Sequence, residues 1–141
     1  MKNKLAIIGM GGHSNVIEEI ARSNEFSEIF YFDDFKINNQ IIGNISFLIK
    51  NKKDYDSFFV AIGNNKIRKE KIEFIKNNNI DITKLIHPNS IISSNSNIGE
   101  GTVVMAGSII NANSIIKTGC IINTNSSIDH DCLIDSYTHI C

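Results

Sequence analysis

The sequence is poor in proline, in cysteine and in net charge. Its one proline, Pro88, stands where the composition changes. Fourteen Lys and Arg against fifteen Asp and Glu leave no excess of either sign, so no dominant nucleic-acid or anionic-membrane surface is expected. No apolar run is long enough to span a bilayer. The opening MKNKLAIIGMGG turns to glycine too soon for a signal peptide, and the chain reads as cytoplasmic. The three cysteines, Cys120, Cys132 and Cys141, are odd in number and lack metal-site spacing. They read as small buried thiols in a reducing compartment, and no metal is expected.

What is present falls into two halves. Up to about Lys84, strand-like and helix-like blocks alternate. KLAIIG, EIFYFDD, DSFFVAIG and ITKLIHP read as strands. SNVIEEIARSN reads as a helix with its stripe on Val16, Ile17, Ile20 and Ala21 and Ser14 as N-cap. NKIRKEKIEFIKNNN reads as another, with Ile67, Lys71, Ile72 and Ile75 on one face. Alternation of this kind predicts an α/β, Rossmann-like parallel sheet with right-handed crossovers.

Ligands of such sheets lie beyond the C-terminal ends of the strands. There the sequence places Gly11, Gly12 and His13 after the first strand, Asp33 and Asp34 after the second, and Gly63 after the third. Glycine turns bring backbone N–H groups against phosphate, and acidic residues about 20 positions on can hold a ribose or base edge. Ser14 stands where a dinucleotide fingerprint has its third glycine. That and the shortness of this half favour a nucleoside diphosphate over NAD.

After Pro88 aromatics nearly vanish and a six-residue rhythm takes over. Ile92, Ile98, Val104, Ile110, Ile116, Ile122, Ile128, Ile134 and Ile140 follow one another without a break. Two positions before each stands a small residue: Ser90, Ser96, Thr102, Ser108, Ser114, Cys120, Ser126, Cys132, Thr138. Residues two apart in a strand face the same side, so both sets point into a narrow interior. Three hexads close one triangular coil, giving a parallel β-helix of hexapeptide type, with Gly99 and Asn125 at corners that need unusual backbone angles. The units are residues 1–86, a Rossmann-like nucleotide-binding domain, and 87–141, the β-helix. Val103, Ile109, Ile115, Ile121 and Leu133 point outward and call for cover by neighbouring subunits or the first domain.

His130 sits at a corner between Asp129 and Asp131, as a base whose imidazolium a carboxylate stabilises. His139 points outward beside Ile140. Together, GMGGHS, YFDDFK, AIGNNKIRK, LIHP and INTNSSIDHDCLIDSYTHI resemble the bacterial nucleotide-sugar acetyltransferases of the UDP-N-acetylbacillosamine pathway. Sialic acid O-acetyltransferases are relatives of that family. The resemblance spans the whole chain and implies a left-handed β-helix, a homotrimer with its active site between subunits, and direct acetyl transfer. The implied substrates are acetyl-CoA and the 4-amino group of a UDP-linked amino-dideoxy sugar. It implies His130 as general base with Asp131 behind it, and His139 at acetyl-CoA. It also implies Gly11, Gly12, His13, Asp33, Asp34 and Gly63 around the UDP-sugar, and no acyl-enzyme cysteine. O-acetylation of a sialic-acid-like sugar and non-catalytic nucleotide-sugar binding are the alternatives. The repeat reaches Cys141 with no cap-like change of pattern, so an incomplete β-helix is expected.

Overall fold

The computed structural model describes residues 4–141. Strands β1 (Lys4–Ile8), β2 (Glu28–Phe32), β3 (Ile41–Gly43) and β4 (Ser57–Val60) form one parallel sheet in the order β3-β2-β1-β4. Helix α1 (Gly12–Ser23) lies on one face; α2 (Ile45–Lys50) and α3 (Asn65–Asn77) lie on the other. The short β3 and α2 are additions to the sequence reading. Three further details differ from it. Gly11, not Ser14, is the N-cap of α1; Ser14 lies in the first turn, its hydroxyl donating to the Gly11 carbonyl at 2.6 Å. The buried stripe of α3 is Arg68, Ile72 and Ile75, whereas Ile67 and Lys71 turn outward. ITKLIHP also does not join the sheet.

Its strand β5 (Leu85–Ile86) is instead the first rung of the second unit. Ten two-residue strands wind there around a triangular prism. One side stacks β5, β8 (Val103–Val104), β11 (Ile121–Ile122) and β14 (His139–Ile140). The second side stacks β6 (Ile91–Ile92), β9 (Ile109–Ile110) and β12 (Ser127–Ile128); the third stacks β7 (Asn97–Ile98), β10 (Ile115–Ile116) and β13 (Leu133–Ile134). Every pairing is parallel with an 18-residue offset, such as Ile121 with Val103. This is the left-handed β-helix architecture. Its interior is the aliphatic column, fully buried from Val104 to Ile128.

The small residues do more than make room. Thr102, Ser108 and Ser114 donate their hydroxyls to the carbonyls of Lys117, Asn123 and Asp129 at 2.8, 2.7 and 2.6 Å. Cys120 sits the same way, its Sγ 3.1 Å from the Asp135 carbonyl. Each buried polar group is thereby satisfied by the following turn of chain. Of the three thiols only Cys120 is buried; Cys141 is exposed. Gly99 is not a left-handed corner residue. A Cβ there would come within 2.6 Å of the Lys117 backbone, so glycine serves close approach. The corner conformation falls to Gly101, Asn113, Asn125 and Asp131, among others.

The first side of the prism is the domain junction. Leu85, Val103 and Ile121 are buried there in one core with Leu5, Ile7, Ile17 and Ile20. Ile109, Ile115 and Leu133, on the other two sides, remain exposed. Arg68 pins the same junction. It is 1% exposed, and all five of its N–H donors are engaged. They reach the carbonyls of Ile62 and Gly63 and the Asn65 side chain in the first unit, and the carbonyls of Gly119 and Tyr137 in the second.

Candidate functional site

A cavity of about 370 Å³ opens where β1, β2 and β4 end. Gly11, Gly12, His13, Asp33, Asp34 and Gly63, all singled out by the sequence, line it. At Gly12 and Gly63 a Cβ would meet nothing within 4 Å, and neither has a positive φ. The chain could carry side chains there; glycine keeps the space open. Gly9 is the contrast: its φ of +99° and a Cβ contact of 2.9 Å make glycine a requirement of the backbone itself.

Helix α1 begins at this cavity with no side-chain cap and no acidic residue in its first turn. Its amino end therefore offers unfilled backbone donors and the positive end of the helix dipole, a setting for phosphate. Two lysines absent from the sequence nominations stand at the mouth. Lys36 Nζ donates to the Met10 carbonyl at 2.9 Å, and Lys71 Nζ pairs with Asp34 at 2.6 Å. Helical spacing groups Lys71 with Ile67, Ile72 and Ile75, and its place beside Asp34 emerges only in the fold.

The two aspartates differ in role. Burial would raise the pKa of Asp33, but N–H donors from Phe35, Lys36 and Met10 outweigh it and hold the carboxyl below its ordinary value. Those bonds, 2.8 to 3.0 Å long, tie the β1–α1 turn to the loop after β2. Asp33 therefore shapes the cavity wall. Asp34 accepts from the Ile45 N–H at 3.0 Å and from Lys71.

His13 lies between the cavity and the prism. Burial first, then the Arg68 charge and His139, lower its pKa to about 4, so it is neutral at pH 7. His139 occupies the β14 rung beneath Ile121, on the junction side of the prism. Nε2 of both histidines is buried without a hydrogen-bond partner in the protein.

His130 and Asp131 are elsewhere. They form the corner between β12 and β13, where the second and third sides meet. In a triangular prism that edge is opposite the first side, which faces the cavity-bearing unit. His130 Nδ1 lies 2.6 Å from Asp131 Oδ2, and Asp129 Oδ1 accepts the His130 backbone N–H at 2.8 Å. The Asp131 hydrogen bond, then the Asp129 and Asp131 charges, raise the His130 pKa. With Nδ1–H turned to the carboxylate, Nε2 is the basic atom. One chain thus brings the six cavity residues together and sets His139 beside His13, but leaves His130 and Asp131 apart from them. Among the described residues no group of three or more His, Cys, Asp or Glu could hold a metal ion, and no helix is long and apolar enough to cross a membrane.

Residues 4–75, half of the chain, match the family described as the PglD N-terminal domain. The chain belongs to the PglD family. UDP-N-acetylbacillosamine N-acetyltransferase of Bacillus subtilis (strain 168) is 38% identical over 114 residues, which cover 72% of this chain and 50% of that protein. The chain thus spans half the length of that PglD-family relative. The acetyltransferase domain of PglB from Neisseria gonorrhoeae FA1090, solved in complex with acetyl coenzyme A, superposes with a TM-score of 0.89 at 37% identity, over 99% of this chain and 70% of that one. PerB from Caulobacter crescentus, solved with CoA and GDP-perosamine, gives a TM-score of 0.89 at 32% identity over 99% and 69%.

Proposed function

We propose that this chain carries the nucleotide-sugar pocket and the proton-accepting histidine of an acetyl-CoA-dependent N-acetyltransferase. Its acceptor is the 4-amino group of a UDP-linked amino-dideoxy sugar. The observation that carries the reading is the pairing, on one chain, of an open glycine-floored cavity at the start of α1 with the exposed His130–Asp131 pair. The relatives solved with acetyl-CoA, or with CoA and a nucleotide sugar, support it.

In this reaction the amine nitrogen attacks the thioester carbonyl of acetyl-CoA. The N–C bond forms, the C–S bond breaks, and His130 Nε2 takes the proton lost by nitrogen and passes it to the departing thiolate. A neutral imidazole whose basicity the neighbouring carboxylates raise can accept that proton and give it up again. No acyl-enzyme forms, so no cysteine acts as nucleophile. Since the cavity and His130 lie on opposite parts of one chain, a second copy must bring its cavity to this corner. The exposed Ile109, Ile115 and Leu133 on the two sides that meet at His130 support a homotrimer in which those sides are covered.

The experiment is thiol release from acetyl-CoA with UDP- and GDP-linked 4-amino-dideoxy sugars. Release that depends on the UDP-linked amine is expected. A protein that binds the nucleotide sugar yet releases no thiol with either substrate would reduce the reading to a binding module.

A further inference from the structure

We propose that the Phe35 ring is the platform on which the nucleobase of the ligand stacks, at the mouth of the cavity. The inference rests on reading that cavity as a nucleotide-sugar pocket.

Phe35 is 85% exposed and lines the cavity. Exposure alone means little: Ile37, two residues on, is 98% exposed and does not line the cavity. Phe35 differs in how its backbone is held. Its own N–H and that of Lys36 donate to Asp33 Oδ1 at 2.8 and 3.0 Å, while Asp33 Oδ2 takes the Met10 N–H at 3.0 Å. The backbone that carries the ring is thereby tied to the β1–α1 turn, and the ring stands at the cavity before any ligand arrives. Such preorganisation spares the entropy of ordering a loop on binding.

The groups beside the ring select the kind of ligand. Lys71 Nζ stands 5.7 Å over the Phe35 ring centroid and pairs with Asp34 at 2.6 Å. Asp34 also accepts from the Ile45 N–H at 3.0 Å. An ammonium and a carboxylate each have more bonding sites than these contacts use, so a donor and an acceptor remain beside an open aromatic face. A nucleobase uses all three: a flat π-face for the ring, and an edge on which donors and acceptors alternate. The diphosphate has no use for the ring. Its setting is the amino end of α1, where Lys36 Nζ lies 3.9 Å from the Cβ position at Gly11. The amino sugar fits less well, because its protonated amine would meet Lys71 over the same ring.

Calorimetry with uridine diphosphate, which lacks the sugar, is the test. Phe35→Ala should bind it roughly 5- to 150-fold more weakly than wild type, the range that alanine substitution removes from one base–aromatic stack. Ile37→Ala, on the same loop, should bind as wild type. Both side chains are exposed, so folding is not at stake. The chain has no tryptophan, so Phe35→Trp places a single indole fluorophore at the site. That variant should bind with near wild-type affinity, its emission quenched by uridine diphosphate and not by inorganic pyrophosphate. Equal affinity in wild type and Phe35→Ala overturns the proposal and leaves the pocket reading intact. A loss seen only with the UDP-sugar also overturns it, because the sugar then holds the ring. Weaker binding by Phe35→Ala together with a changed sedimentation coefficient, and Phe35→Trp unquenched, would make the ring a subunit contact and overturn it too. The expected losses and quenching in a protein without acetyl transfer would sink the transferase reading and leave this one standing. If wild type does not bind uridine diphosphate at all, both fall.

Discussion

Arg68 Nε, in helix α3, donates to the carbonyl of Gly119, a corner residue of the prism 51 positions away, at 2.7 Å. One buried cation thus reads the floor of the cavity through Ile62 and Gly63 and the prism through Gly119 and Tyr137. Arg68→Met leaves those carbonyls without donors inside a packed junction. Loss of about 2–4 kcal/mol is expected, because buried carbonyls left without a donor cost about 1–3 kcal/mol each and relax only in part. Urea unfolding measures it. A variant within about 1 kcal/mol of wild type would mean that water or neighbouring groups replace the guanidinium at little cost.

Gly12→Leu should separate folding from binding. A Cβ there meets no protein atom within 4 Å, and Gly12 lines the cavity, so a larger side chain has open space to enter. Thermal stability should stay near wild type while affinity for the nucleotide sugar falls at least tenfold. Calorimetry with UDP-sugar and with acetyl-CoA checks both halves of that statement; equal loss for the two ligands would show that the cavity is not the nucleotide site.

His130→Ala should retain nucleotide-sugar affinity and lose on the order of 10²–10⁴ in turnover, the usual range for a general base. Nothing folds around this side chain, which stands exposed at its corner. Near-normal turnover would remove it from the proton transfer.

Acidification should weaken the fold through His13. Its folded pKa, about 4, lies below the unfolded value near 6.5, so the unfolded chain takes up the proton first. The neutral histidine is fully compatible with the fold above pH 6.5, and stability drains away as pH falls from about 6.5 to about 4. After allowance for its partial exposure the loss is on the order of 2 kcal/mol. The depressed Asp33 carboxyl acts in a lower window, losing its contribution only below the ordinary aspartate range. Denaturation of wild type and His13→Gln at pH 7.5 and 4.5 isolates the histidine; parallel loss in both proteins would contradict the assignment.

Leu133→Lys and Ile115→Lys, alone or together, should shift the protein towards monomer in sedimentation velocity without altering circular dichroism. Both positions lie on the third side of the prism, stacked on one another and exposed in the single chain. An unchanged oligomer would place the contact elsewhere.

The hexad was legible because every interior rung obeys it, from Ile92 to Ile140. Its first rung was hidden. Ile86 is in phase, but Lys84 stands where a small residue should precede it. No coil lies before this one, so Lys84 can reach outward, its Nζ 3.3 Å from the Ile98 carbonyl. Sequence spacing also found the cavity residues, since strand ends converge on one edge of a parallel sheet. It could not find Arg68, because a buried arginine in an apolar stripe looks like an exposed one until its carbonyl partners are brought together by folding. Nor could it tell which outward aliphatics meet the first unit. Val103 and Ile121 differ from Ile115 only in the side of the prism they occupy, and that depends on where the sheet docks.

The strand Leu85–Ile86 gives the molecule no hinge. The chain leaves the cavity-bearing unit and is at once a rung, so the prism acts as a graduated rule fixed at one end. Each coil is a mark of roughly 4.8 Å. Adding or removing 18 residues would slide every later corner, His130 included, by one mark and leave each register intact. Any other length would rotate the corners off their columns. The reach from pocket to histidine is therefore set in whole coils, and a lineage could change it only by steps.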